Sequence, residues 1–268
     1  MAMAGRGVRW GASLWGFYGW RPPETWPSLP DAARAILSVD PLLGLEVWAS
    51  KSLDVEEADA AELVELSDVC RLARFVTVHV RGAYWRWTPL GLRREIEFAA
   101  RVGAETLVLH PVCLGLSDPD DRIDVPEIRR IGREAAAHGV RLAVENLPDS
   151  IATLDRLLEA VGDDPRRTNL WVCIDVGHAH LSHDAGREPV SNYLERYAAQ
   201  LAHVHLHDNY GETDAHLVPG RGTIDWRRTF DVLDAIGFSG TAVLEVHPGD
   251  RSPDEGIRDG LAFLAALP

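Results

Sequence analysis

Between His203 and Gly222 the sequence reads HVHLHDNYGETDAHLVPGRG, which places four histidines, two aspartates and one glutamate in twenty residues. Elsewhere acids and imidazoles occur singly inside short apolar runs: His79 in RFVTVHV, His110 in TLVLHPV, Glu145 in RLAVENL, Asp175 and His178 in LWVCIDVGH, and Glu245 in TAVLEVH. Imidazole and carboxylate without thiolate suit a divalent ion such as zinc, manganese, cobalt or iron, and differ from a four-cysteine structural zinc site. Each residue alone has a plainer reading, because a single histidine ending an apolar run is ordinarily a hydrogen-bonded core residue. The set argues otherwise. Burying Glu145, Asp175 and Glu245 together without counter-charge is costly for every ion, and no lysine or arginine lies beside them on these runs. A divalent cation would offset them.

Those runs belong to a series of eight, at 8–14, 43–49, 74–80, 106–112, 141–147, 170–176, 201–207 and 241–247, rich in β-branched residues. Segments with helical spacing lie between and after them, including 54–73, 89–102, 125–138, 150–161, 189–200, 226–236 and 254–266. Pro89 opens one helix, and Gly103, Gly139 and Gly237 close three. Apolar strands alternating with amphipathic helices imply a parallel sheet covered by helices, and eight βα units in this length suit a closed (β/α)8 TIM barrel. The fold class is therefore α/β, with one domain over residues 1–268. An open doubly wound sheet lacks support, since GASLWGFYGW after the first strand does not fit the glycine-rich phosphate turn. In a barrel the C-terminal strand ends share one mouth. Six consecutive strand ends, the third to the eighth, each carry a potential ligand.

His203, His205 and His207 share one face of the seventh strand. His205 is the expected ligand, His203 lies deeper as a supporting partner, and His207, nearer the loop, is expected to contact substrate. His138, His180 and His183 read as surface or helix residues. Tyr84, Trp85 and Arg86 follow the third strand and are candidate substrate contacts, or else part of a hydrophobic lid.

The charge of −14, from 41 acidic against 27 basic residues with Lys51 the single lysine, leaves no basic run for nucleic acid or an anionic membrane surface. Cys70, Cys113 and Cys173 are too few and scattered for a disulfide framework. No secretory leader or membrane-length apolar run is present, so a cytoplasmic protein without a membrane partner is expected. Oligomeric state is not legible.

The motifs LVLHP, AVENLP, VCIDVGHAH, HVHLHDNYGETDAHLVPGRGTIDW and AVLEVH resemble those of the xylose isomerase-like TIM barrel superfamily, which includes sugar isomerases and epimerases, inosose dehydratases and endonuclease IV. Similarity to the sugar isomerases and epimerases implies one divalent metal on Glu145, Asp175, His205 and Glu245, with Glu145 and Glu245 as acid and base and His178 on a substrate oxygen. Similarity to endonuclease IV implies a larger zinc set: His79, His110, Glu145, Asp175, His178, His205, Asp214, His216 and Glu245. The sequence departs from the epimerases at Ile151 and Gly211, where a glutamate and an arginine are usual, and from endonuclease IV in the wording around DVGHAHLSHD and HLHDNYG.

Two activities follow from the resemblance. The first is a metal-dependent sugar or sugar-phosphate isomerase or epimerase, with one zinc, manganese or cobalt ion stabilising an enediolate between the two glutamates. The alternative is an endonuclease IV-like phosphoesterase with two or three zinc ions, the one reading that brings nucleic acid in as a partner. A non-catalytic metal- or sugar-binding protein is a third class, for which six ligand-bearing strand ends are more than binding requires.

Overall fold

The computed structural model describes residues 7–19, 21–48, 60–80, 89–118, 120–148, 151–181, 188–247, 249 and 251–267. Eight strands, β1 (Arg9–Ser13), β2 (Gly44–Trp48), β3 (Val76–His79), β4 (Thr106–Leu109), β5 (Arg141–Glu145), β6 (Leu170–Asp175), β7 (Leu201–Leu206) and β8 (Thr241–Leu244), pair in sequence order, all parallel, and β1 pairs with β8 to close the barrel. Each lies within one of the eight apolar runs. The TIM barrel expected from the sequence is the observed fold.

The helices between strands are α1 (Trp15–Tyr18), α2 (Leu29–Val39), α3 (Ala60–Cys70), α4 (Pro89–Arg101), α5 (Val125–Ala137), α6 (Ile151–Val161), α7 (Pro165–Thr168), α8 (Val176–Leu181), α9 (Val190–Arg196) and α10 (Trp226–Ala235), and α11 (Pro253–Ala265) follows the last strand. Side chains of Ser28, Asp124 and Asp225 accept backbone N–H bonds at the starts of α2, α5 and α10, satisfying donors that a helix end leaves open. Gly103, Gly139 and Gly237 take positive φ just beyond α4, α5 and α10, as the sequence predicts. The helical segment expected over 54–73 is described as a helix from Ala60 to Cys70, and residues 54–59 lie outside the described part. No described helix is long and apolar enough to cross a membrane.

Strand alternation sorts the core into two layers. Val78, Leu107, Leu109, Leu142, Val144, Ile174, Val204 and Leu206 join the large apolar cluster shared with the helices. Val108, Ala143 and Cys173, of opposite parity, form a separate cluster inside the barrel. Near the N-terminal end of the barrel, Phe75 fills the space left by two glycines: a Cβ on Gly44 would overlap its ring, and one on Gly11 would lie 2.8 Å from it. The apolar filling gives way toward the C-terminal end to Glu46, His79, Glu145, Asp175, His205 and Glu245, all buried.

Candidate metal centre

β5 delivers Glu145 from the barrel wall, where it is 1% exposed. Its Oε2 lies 3.0 Å from His79 Nε2 and 3.0 Å from His110 Nε2, while Oε1 lies 3.2 Å from His205 Nδ1 and 3.4 Å from His178 Nδ1. One carboxylate thus faces four imidazoles. Glu145, Asp175, His205 and Glu245 offer ligand atoms within 4.8 Å of one another; so do His79, His110 and Glu145, and separately His178, His207, Asp214 and His216. Glu145 belongs to the first two groups.

Hydrogen bonds on the far side of four of the rings reveal what faces inward. His79 Nδ1 donates to the Val80 carbonyl at 2.8 Å, which turns the lone pair of a neutral ring's Nε2 toward Glu145. His178 Nδ1 and His216 Nδ1 donate to the carbonyls of Asn146 and Glu245, each at 2.9 Å, and both present Nε2 to the same Asp214 oxygen at 3.2 Å. His205 Nε2 lies 3.1 and 3.2 Å from the two Glu46 oxygens, so its Nδ1 faces Glu145, with Glu245 at 3.6 Å and Asp175 at 3.7 Å. Lone pairs directed at carboxylates repel unless a proton or cation lies between them. Every described ion-pair partner of Glu145, Asp175 and Glu245 is a histidine. The donor set therefore fits divalent metal ions, with the imidazoles of His79, His178, His205 and His216 fixed from behind by a carbonyl or a carboxylate.

The electrostatics agree. Burial pushes Glu245 up to about 7, whereas burial at Glu145 is outweighed by His205 and His110, which hold its carboxyl well below the usual range. Burial opposes charge on His79, yet the adjacent Glu145 raises it to about 9. Burial at Asp214 is likewise outweighed, by His178 and His216, which hold it low.

Local structure explains the placement. Asp175 ends β6 and accepts the His178 backbone N–H at 2.7 Å, so the acid that faces the centre also starts α8 and aims His178. Asn146 receives Asp175 N–H at 2.8 Å and donates to its carbonyl at 3.1 Å, locking β5 to β6. Asp208 is wholly buried but stands apart from the ligand groups: it accepts from Gly220 N and Trp226 Nε1, both at 2.8 Å, and its backbone bridges Leu217. That pins the loop carrying Asp214 and His216. His216 takes a left-handed φ of 45°, strained for a non-glycine, and its ring lies between Trp15 at 4.1 Å and His207 at 3.9 Å.

His207, expected at the substrate, is fully buried, with Nε2 3.0 Å from Asp175 Oδ1 and 3.7 Å from Asp214 Oδ1. His203 lies deeper, as expected, bonding Thr241 through Nδ1 at 2.6 Å. Tyr84, Trp85, Arg86 and His183 lie outside the described residues. His180 is half-buried and meets Thr223 Oγ1 at 3.1 Å, and His138 is an exposed helix end, neither in a ligand group. The residue missed from the sequence is Glu46, 0% exposed, which contacts His205, accepts from Thr77 Oγ1 at 3.1 Å and lies 3.1 Å from His203 Nε2.

A family model described as the xylose isomerase-like TIM barrel matches residues 44–267. The chain belongs to this family. Among curated relatives, an inosose dehydratase of Yersinia enterocolitica is 32% identical over 121 residues, 38% of this chain and 39% of that protein. An uncharacterized protein of Methanocaldococcus jannaschii is 29% identical over 164 residues, 58% of this chain and 55% of its own length. The chain thus spans about half or less of the length of these curated relatives. Solved structures share the fold over nearly the whole chain. The D-allulose 3-epimerase of Methylomonas sp., in complex with D-allulose, has a TM-score of 0.71 at 14% identity, covering 98% of each chain. A D-tagatose 3-epimerase-like protein has a TM-score of 0.68 at 21% identity, covering 96% of this chain and 98% of that one. The protein is thus a xylose isomerase-like TIM barrel with buried histidine and carboxylate clusters suited to metal.

Proposed function

We propose that the protein is a divalent-metal-dependent isomerase or epimerase of a sugar or sugar phosphate. The observation that carries this reading is the convergence of Glu145, Asp175, His205 and Glu245 at the barrel mouth, with two glutamates in opposite electrostatic states. When bound, a divalent ion on these four residues supplies Lewis acidity toward a carbonyl oxygen and its neighbouring hydroxyl. Glu145, held ionised by the surrounding imidazoles, is the base that takes the proton from the carbon beside the carbonyl. Glu245 returns a proton on the other carbon or face. His178, aimed by Asp175, holds a substrate oxygen. Inosose dehydratase relatives widen the class to dehydration, which for a hydroxy-ketone starts from the same proton removal.

Incubation with ketoses, aldoses and their phosphates in D2O, with added zinc, manganese or cobalt, tests this directly. Deuterium is expected beside the carbonyl of a turned-over sugar, and Glu145→Gln should lower the exchange by roughly a thousandfold or more. No exchange with any sugar or metal would refute the reading.

One observation favours a second reading. Glu145 stands between two ligand groups, one oxygen toward His79 and His110 and the other toward His205, and a third group adjoins them. Glu145 so placed could be shared between two ions, which would suit an endonuclease IV-like zinc phosphoesterase. Two or three zinc ions per purified chain, with cleavage of an abasic-site duplex and no sugar exchange, would decide for that activity.

A further inference from the structure

A cavity of about 580 Å³ opens beside the metal centre, between the segments that follow β1 and β8. We propose that it binds the phosphate group of the substrate, so that the sugar turned over is a sugar phosphate; this rests on the isomerase or epimerase reading of the centre.

The two segments are held together next to the ligands. Trp15 stacks on His216, His247 N–H donates to the His216 carbonyl at 2.6 Å, and a Cβ on Gly16 would lie 2.6 Å from the Val246 carbonyl. The cavity therefore begins two residues beyond Glu245 and has the volume of a small-ligand pocket. Its polar lining comes from Arg21 and Thr25 on one side and His247, Arg251 and Ser252 on the other, with no carboxylate among its described residues. In a chain with 41 acidic against 27 basic residues, a concave surface whose described lining bears two guanidiniums and no acid is against the general charge.

Arg21 is not consumed by an ion pair among the described residues, and Arg251 only in part. Arg251 shares Asp259 with Arg221, at 2.7 and 3.4 Å, so one carboxylate stands against two guanidiniums. The positive end of α11 also points here, but Glu255 of its own capping box already takes the Ser252 N–H at 3.0 Å. The forked guanidiniums, which match phosphate oxygens bidentately, are the groups left to hold an anion. A single pocket suits one phosphate; a nucleic acid would require a row of such contacts along a groove.

Titration calorimetry on the metal-loaded protein, with inorganic phosphate, ribose 5-phosphate, ribose and gluconate as probes, tests the proposal. Ribose 5-phosphate should bind at least tenfold more tightly than ribose or gluconate. Arg21→Ser, and Arg21→Ser with Arg251→Ser, should weaken both phosphate probes by tenfold or more, leaving metal content and melting temperature as in the wild type. Phosphate binding unchanged in these variants, absent from the wild type, or matched by gluconate overturns it. The isomerase reading fails separately, by absence of deuterium exchange while the arginine-dependent phosphate binding remains.

Discussion

Glu46 lies behind the ligands, with its carboxylate against His205 Nε2 and the opposite ring nitrogen directed at the metal centre. Such an outer carboxylate fixes the tautomer and orientation of a ligating imidazole, and its loss lowers metal affinity by roughly 10- to 100-fold. Glu46→Gln is expected to show that loss in competition with a chelator, while Glu46→Asp recovers part of it; equal affinity in all three proteins would remove Glu46 from the centre. The candidate ligands on the strands were legible in the sequence because each is a polar residue at or near the end of an apolar run, repeated on strand after strand. Glu46 was not. It lies within LGLEVWA with three apolar residues after it, where a single acid in a short strand is also what a solvent-facing position looks like. Only the barrel's parity, which sends Glu46 inward toward His203 and His205, separates the two. His207, expected from its place near the loop to contact substrate, is completely buried where α8 and the His216 loop pack over β7.

Gly177, in the first turn of α8, lets that short helix press against β7. A Cβ there would fall on the His207 imidazole. Gly177→Ala should therefore displace His207 from Asp175 and Asp214, costing about 1–3 kcal/mol as an overpacked core does. Weaker binding of the last zinc equivalent should accompany it, measured by thermal melts and zinc titration; wild-type behaviour in both would mean that α8 moves aside freely. All eight strands could be read from the sequence because barrel strands are apolar nearly throughout, and the caps at Gly103, Gly139 and Gly237 marked the ends of three helices. α8 escaped notice because it starts inside the motif IDVGHAH, directly from the last residue of a strand, with Asp175 serving as both strand end and helix cap. The Asp208 anchor was equally hidden, since its partners Gly220 and Trp226 lie 12 and 18 residues away.

Across the whole molecule, the centre gathers charge that the fold alone leaves mismatched, and this sets how stability depends on pH. Glu245, ordinarily near 4.3 when unfolded, is pushed up to about 7, so its contribution is complete below the unfolded value and is lost as pH rises through 7. His79, raised to about 9, likewise contributes below its unfolded value of about 6.5 and loses that contribution as pH rises through 9. Glu46, Glu145, Asp175 and Asp214 are held low and act oppositely, stabilising above their unfolded values and failing as pH falls. The melting temperature of metal-free protein should therefore fall between pH 5 and 9. Added zinc should oppose the fall increasingly at higher pH, because the ligands bind deprotonated. An ion at a thousandfold excess over its dissociation constant adds about 4 kcal/mol. Calorimetry with and without chelator measures both trends, and a flat profile in the metal-free protein would contradict them. The pairing of β1 with β8, Arg9 opposite Thr241, has a kinetic side. Glu145, Asp175, His205 and Glu245 gather on the four successive strands β5 to β8, but Glu46 of β2 reaches His205 only when the ring has wrapped and closed, among the slowest kinds of contact to form. An ion therefore has no complete cage to enter while the chain is still folding. Its grip belongs to contacts made after the transition state, so it acts as a latch that delays opening rather than as a seed that hastens assembly.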